Sequence, residues 1–304
     1  MAKAWLLNLD AELELMRPTG YYPSRATLRA CQRFETVAMQ LLDVDDVVLK
    51  DRAQPGAQRL RGFTAAAWCP TPSALRALAK AGATLPEAPP LSCLQRVNHR
   101  RFHVELGQTL PGAVFADTIE AAQAALSQPP NGGWMVKRGF GFAGRAVRRF
   151  PLVPSPDDRR WLTQALTWGG VQLEPWLPIT HEYSLHGHVD QSGRLQVGVP
   201  CLLIDRTQSL YTRLDSAYLG VRPDAKLLAA EESALGREAE RVGRSLHAAG
   251  YFGPFGVDAF AYVVGKLRHF NARSEINARY TLAYATGMGI GAAGGFSNRT
   301  AQLW

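Results

Sequence analysis

The chain has 304 residues, 46% of them hydrophobic and 20% charged, enough for two domains with a buried core and too apolar for a disordered protein. Its net charge of +8 comes from 34 basic and 26 acidic residues scattered without long runs, so the sequence shows neither the basic stripe of a nucleic-acid binder nor a basic membrane anchor. Only six of the basic residues are lysines, the arginine bias of a GC-rich bacterial genome, which makes a lysine in a chemically suggestive place such as Lys137 informative.

The four cysteines are widely spaced and form no C-x-x-C pair, so a reduced, cytoplasmic protein is expected. No signal-peptide core develops near the N-terminus. The longest uncharged stretch, 280–298, is laced with glycine and reads as a packed tail rather than a membrane span.

In chain order, the apolar run 5–9 predicts a first strand. Residues 24–42 carry a helical period with Leu28, Cys31, Phe34, Ala38 and Leu41 on one face and Ser24 as N-cap. A strand at 47–49 follows, then a helix opened at Ser73 and closed by Gly82. The proline-rich stretch 85–90 reads as a linker, so 1–94 is expected to form a small α/β domain and 95–304 a second one.

The second part begins with a helix expected over 95–106 and stopped by Gly107. Asp117 and Glu120 suggest a capping box before a helix at 118–127. Strands at 134–137 and 145–150 enclose a glycine loop, and Ser155-Pro156-Asp157-Asp158 starts a helix that Gly169-Gly170 ends. Strands are expected at 171–175, 182–189 and 194–203, a long helix at 225–249, and two strands, 255–263 and 267–276, around a turn at Gly265.

The loop Gly139-x-Gly141-x-x-Gly144 matches a dinucleotide fingerprint letter for letter, but prolines at 151, 154 and 156 exclude the helix that such a fingerprint must open. A glycine loop inside a hairpin can instead lie over nucleotide phosphates, with backbone amides in close approach. Lys137, two residues earlier, would aim a compact positive charge at the same phosphates. Neither a G-K-[ST] loop nor the H-R-D and D-F-G signatures of kinases occur.

Near the C-terminus, Asp258 sits in an apolar strand, and Glu275, Asn277 and Arg279 alternate on the next, so their side chains share a face. Two carboxylates and an amide are hard oxygen donors that suit Mg²⁺, with Mn²⁺ as the alternative, and Arg279 could clamp a phosphoryl group. His186 and His188 share a strand face and could form part of an acceptor site or bind metal, but with no third ligand in view they read as a polar strand face; His99 and His103, at helical spacing, lack the Glu of a zinc-protease motif and read as surface or core histidines. Arg206 and Arg213 could border a substrate.

Taken in order, these pieces resemble the ATP-grasp superfamily over about residues 96–304. The resemblance implies an α/β (α+β) ATP-grasp fold with residues 1–94 as a pre-ATP-grasp domain that helps shape the acceptor site. It implies Lys137 and the Gly139, Gly141 and Gly144 loop on the phosphates of ATP. Glu174, Trp176 and Leu177 become the hinge that reads adenine, and Glu182 the acid on the ribose. Asp258, Glu275 and Asn277 become metal ligands, with Arg279 beside them. Such families carry an earlier lysine on the helix before the loop; here Arg100 occupies that neighbourhood. The implied activity is an ATP-dependent carboxylate–amine ligase working through an acyl phosphate. Its partners would be a small-molecule or peptide carboxylate and an amine, with a homodimer left open and no nucleic acid or membrane partner. A phosphotransferase and a non-catalytic nucleotide-binding protein are the alternatives.

Overall fold

The apolar run Ala4-Trp5-Leu6 builds the first strand, β1 (Lys3–Leu6), and all three of its side chains are buried. The computed structural model describes residues 2–290 apart from 51, 53–55, 57–58, 108–109, 142–145, 205–218 and 222–225. The chain continues through α1 (Ala11–Met16), α2 (Arg25–Ala38), β2 (Val47–Val48), β3 (Thr64–Ala67) and α3 (Pro72–Lys80). β1 lies between β2 and β3 in a parallel sheet, with α3 packed against it.

Next come α4 (Leu91–Asn98) and α5 (Arg100–Glu105), then β4 (Val114–Ala116), α6 (Ile119–Leu126), β5 (Trp134–Arg138), β6 (Val147–Phe150), α7 (Pro156–Leu166) and β7 (Val171–Pro175). The strands form an antiparallel sheet in the order β4-β7-β5-β6. Val136, Phe150 and Leu173 from this sheet bury themselves against Ala122 of α6 and Leu162 and Ala165 of α7. α7 begins with a complete capping box: the Ser155 hydroxyl accepts from the Asp158 amide, and the Asp158 carboxylate accepts from the Ser155 amide.

The third sheet uses β8 (Ile179–Val189), β9 (Leu195–Val197), β10 (Cys201–Ile204), β11 (Leu219–Val221), β12 (Gly253–Val264) and β13 (Leu267–Asn277), ordered β11-β10-β8-β12-β13 with β9 also on β8. α8 (Ala229–Ala248) lays Leu235, Ala239, Val242 and Leu246, spaced by three or four residues, onto this sheet. α9 (Tyr284–Met288) follows β13. One buried cluster runs from Trp5, Leu9 and Leu15 through Leu94 and Val97 to Val257 and Ala278, so residues on either side of position 94 share a core. No helix among the described residues is long and apolar enough to cross a membrane.

Several expectations need correction. The helix expected over 95–106 is two helices, because His99 takes an extended conformation (φ −82°, ψ 137°) and caps α5 by accepting from the Arg101 amide through Nδ1. The cap of α6 is Thr118, not Asp117, whose carboxylate instead pairs with Arg101 at 2.8 Å. Leu28 of α2 is 40% exposed, and the buried positions are Thr27, Ala30, Val37 and Ala38. α3 opens at Pro72 with Thr71 as its N-cap residue. The strand expected over 194–203 is broken into β9 and β10 around Gly198, where a Cβ would collide with the Gly287 carbonyl. α1, β3, β4 and α9 are elements that the sequence reading lacks.

Candidate active site

β5 and β6 pair antiparallel from Trp134 opposite Phe150 to Lys137 opposite Val147, so the glycine loop is the tip of a hairpin. Met135 and Lys137 alternate onto the same side of β5 and face a cleft. The Lys137 ammonium meets the Glu174 carboxylate of β7 at 2.6 Å, with both side chains nearly buried (12% and 5% exposed). Gly139 is fixed by contact: a Cβ there would overlap the His99 ring, which lies edge-on to Phe140 at 4.8 Å. The Arg100 amide donates to the Gly139 carbonyl (2.9 Å) and its Nε to the Arg138 carbonyl (3.0 Å), pinning the base of the loop. Gly141 lines the cleft, and Gly144 lies outside the described residues.

After β7 the chain crosses into the large sheet through Trp176 and Leu177. The Trp176 amide donates to the Gly133 carbonyl (2.9 Å), and the Arg149 guanidinium lies 4.1 Å from the centre of the Trp176 ring. The connection therefore joins the two sheets at one end of the cleft.

The other wall is the face of β8, β12 and β13. Ser184, Asp258 and Glu275 stand directly opposite one another across these three strands. One step along, His186, Gly256 and Asn277 form the next row; one step back, Glu182 stands opposite Phe260. The Asn277 amide donates to Asp258 Oδ2 (3.1 Å) and accepts from Arg279 Nη2 (2.9 Å). Arg279 is also paired with Glu12 of α1. Burial works against the Arg279 charge, but the adjacent Glu12 carboxylate outweighs it and raises the guanidinium above its ordinary value. Arg100 Nη2 donates to Glu275 Oε1 at 2.8 Å, so Arg100 bridges the hairpin base and the acidic row.

These walls enclose a cleft of about 590 Å³. Lys137, Gly141, Glu174, Trp176, Leu177 and Glu182 line it together with Asp258, Glu275, Asn277, Arg279 and Arg100. Gly139 is not on its wall; it lines a small adjoining cavity of about 10 Å³ behind Arg100 and Glu275. Among the described residues no group of three or more His, Cys, Asp or Glu side chains forms a metal cage. The acidic row offers two carboxylates and one amide, the open kind of donor set that Mg²⁺ shares with phosphate oxygens and water.

Sequence reasoning missed several wall residues. Glu12, Phe34 and Trp68 arrive from the first 94 residues, and Ser184 and Arg149 carry no motif. His186, read as polar strand surface, is 1% exposed and lines the cleft, and burial lowers it to about 3. His103 is a core histidine held well below its usual range by burial and by Arg273. His99 is lowered to about 4 by burial and by Arg101 and Arg100. Arg206 and Arg213 lie outside the described residues.

No family model matches the chain, and no curated protein resembles it in sequence. Among solved structures it is similar to D-alanyl-alanine synthetase A from Vibrio cholerae, at 13% identity, with 91% of this chain and 88% of that one covered and a TM-score of 0.53. It is also similar to N5-carboxyaminoimidazole synthetase from Staphylococcus aureus complexed with ADP, at 14% identity, covering 92% and 71% with a TM-score of 0.50. Both are carboxylate–amine ligases of the ATP-grasp superfamily. The chain has the ATP-grasp fold. In ATP-grasp terms, the β5–β6 hairpin with its four-stranded sheet is one jaw, and the face of β8, β12 and β13 is the other.

Proposed function

We propose that this protein is an ATP-dependent ligase that joins a carboxylate to an amine through an acyl phosphate. One observation carries the reading: Lys137 from the glycine hairpin and the Asp258–Glu275 pair from the opposite sheet line one cleft large enough for a nucleotide and its acceptor.

In this reading the adenine lies at the apolar end, among Met135, Trp176, Leu177, Ile179 and Phe260, and Glu182 takes the ribose hydroxyls. The phosphates run under the Gly139–Gly144 loop toward Lys137 and Arg100. Asp258 and Glu275 stand directly opposite on antiparallel strands, an arrangement of like charges that is unfavourable unless a cation lies between or beside them. Arg100 supplies one such cation to Glu275. The hard oxygens of Asp258, Glu275 and Asn277 fit Mg²⁺, which would neutralise charge on the phosphate oxygens when bound. Phosphoryl transfer needs alignment and charge neutralisation more than covalent help. Lys137 and Arg279 contribute that charge, Arg279 less so because Glu12 sits against it. The γ-phosphoryl passes to the carboxylate, and an amine then displaces phosphate to form the amide. Residues 1–94, which share a core with the rest of the chain, close the acceptor end of the cleft.

The deciding experiment measures ADP release from MgATP with carboxylates and amines offered together and separately, with a chelator as control. A ligase releases ADP only with a carboxylate present. Turnover with a hydroxyl compound alone would make the protein a phosphotransferase, and the absence of metal-dependent turnover with any acceptor would leave a nucleotide-binding role.

A further inference from the structure

The strand register gives the cleft a direction. From the inter-sheet connection, β8 carries Ile179, Glu182, Ser184 and His186 in turn, while β12 places Phe260, Asp258 and Gly256 opposite the last three. Beyond the acidic row, the wall continues into Arg279, Thr281, Leu282 and Ala283 after β13. Facing them are Leu9, Glu12, Phe34 and Trp68 from the first 94 residues. The Tyr280 amide donates to the Trp68 carbonyl at 3.1 Å, which ties the two walls together.

The chemistry of this far end differs from that of the middle. Its carbon surface comes from Leu9, Phe34, Trp68, Leu282 and Ala283. Arg279, which follows β13 there, is matched by Glu12. Two neutral polar atoms there, Thr281 Oγ1 and Trp68 Nε1, are buried and have no hydrogen-bond partner among the described residues. Thr281 packs beside His186 over Gly256, where a Cβ would meet Thr281 Cγ2 at 2.9 Å and His186 Cδ2 at 3.3 Å. Folded proteins leave few buried polar atoms unpaired, so this set fits a ligand with neutral hydrogen-bonding groups. A second phosphate or carboxylate would face carbon and an already neutralised guanidinium, an environment that penalises charge.

We propose that this end of the cleft is an acceptor compartment for a substrate whose body is apolar, an aromatic or branched aliphatic side chain, with Phe34, Trp68 and Leu282 as its specificity-determining contacts. The proposal rests on the ligase reading and names its substrate class.

Calorimetric titrations of the full chain in MgADP test it, with 3-phenylpropionate and L-phenylalanine set against succinate, L-glutamate and phosphoserine. The aromatic probes bind at least tenfold more tightly than the acidic ones, the range that one hydrophobic pocket contact provides. Phe34→Asp weakens the aromatic probes about tenfold or more while the affinity for a fluorescent ADP analogue stays within twofold. Phe34 is half-buried; Leu282→Ser repeats the measurement if the aspartate variant does not fold. Preference for the acidic or phosphorylated probes, no binding of any aromatic probe, or aromatic binding indifferent to both substitutions overturns the compartment. Failure of the wild-type chain to bind the ADP analogue removes the ligase reading together with it, whereas analogue binding without aromatic preference removes the compartment alone.

Discussion

Lys137 is asked to hold a phosphate, but in the structure it holds Glu174 at 2.6 Å in a nearly dry environment. Two effects of its removal therefore have to be separated. Lys137→Ala leaves the Glu174 carboxylate buried without its partner, a defect of about 3–5 kcal/mol in comparable buried pairs. It also removes a charged donor from the nucleotide, at about 1.5–3 kcal/mol, or roughly 10–100-fold in affinity. The double variant Lys137→Ala/Glu174→Gln regains most of the lost thermal stability and none of the nucleotide affinity. Recovery of both, measured by thermal unfolding and titration of an ADP analogue, would make Lys137 a structural partner only. Glu275→Gln gives the complementary case. The amide can still accept from Arg100, whose bond at 2.8 Å anchors the hairpin base, so unfolding temperature changes little. The carboxylate charge that suits a divalent ion is gone, and ADP release falls by at least about 100-fold on the scale of a lost electrostatic group. Turnover near the wild-type rate in this variant removes Glu275 from the metal site.

Between residues and the fold stand the elements, where the glycine hairpin and the α4–α5 break meet. His99 interrupts the helix, caps α5 and puts its ring where a side chain at Gly139 would have to go. Gly139→Ala therefore forces the ring or the loop to move. The expected result is weakened nucleotide binding, partly restored in Gly139→Ala/His99→Ala because the smaller side chain vacates the space; strict additivity of the two changes in a double-mutant cycle would disprove the contact's importance. The hairpin itself was legible in sequence because its signals are local: a lysine, three glycines and flanking apolar runs within a dozen residues. The same holds for α7, whose capping box is written in four consecutive residues, and for β12 and β13 around Gly265. The α4–α5 break was illegible because neither glycine nor proline marks it. β3, with sequence TAAA, lacks the branched and aromatic residues that signal a strand and is held by pairing with β1. Glu12, Phe34 and Trp68 reach the cleft only through tertiary packing, so no spacing in the sequence announces them.

At the scale of the whole molecule, the histidines set how the fold responds to acid. His186 is lowered to about 3 by burial, His99 to about 4 by burial with Arg101 and Arg100, and His103 well below its usual range by burial with Arg273. In the unfolded chain all three return to about 6.5. Between these limits the unfolded state binds more protons than the folded one, so unfolding free energy falls as pH drops below about 6.5. For a group as buried as His186 the slope approaches about 1.4 kcal/mol per pH unit, and the stability is fully present only above the unfolded value. Asp190, held to about 2 mainly by the Ser192 hydroxyl, acts in the same direction but contributes only as pH falls below the carboxylate range near 4, whereas Glu12, raised by burial, acts the opposite way. The net charge of +8 grows as the histidines take protons, which adds self-repulsion to the same trend. Urea midpoints measured from pH 7.5 to 4.5 should therefore fall steadily below about 6.5. His186→Asn lowers stability at pH 7.5, because the ring fills its site against Gly287, yet it reduces the slope below pH 6.5. A flat profile in the wild-type chain, or an unchanged slope in His186→Asn, would show that these rings take up protons in the folded state without loss of packing.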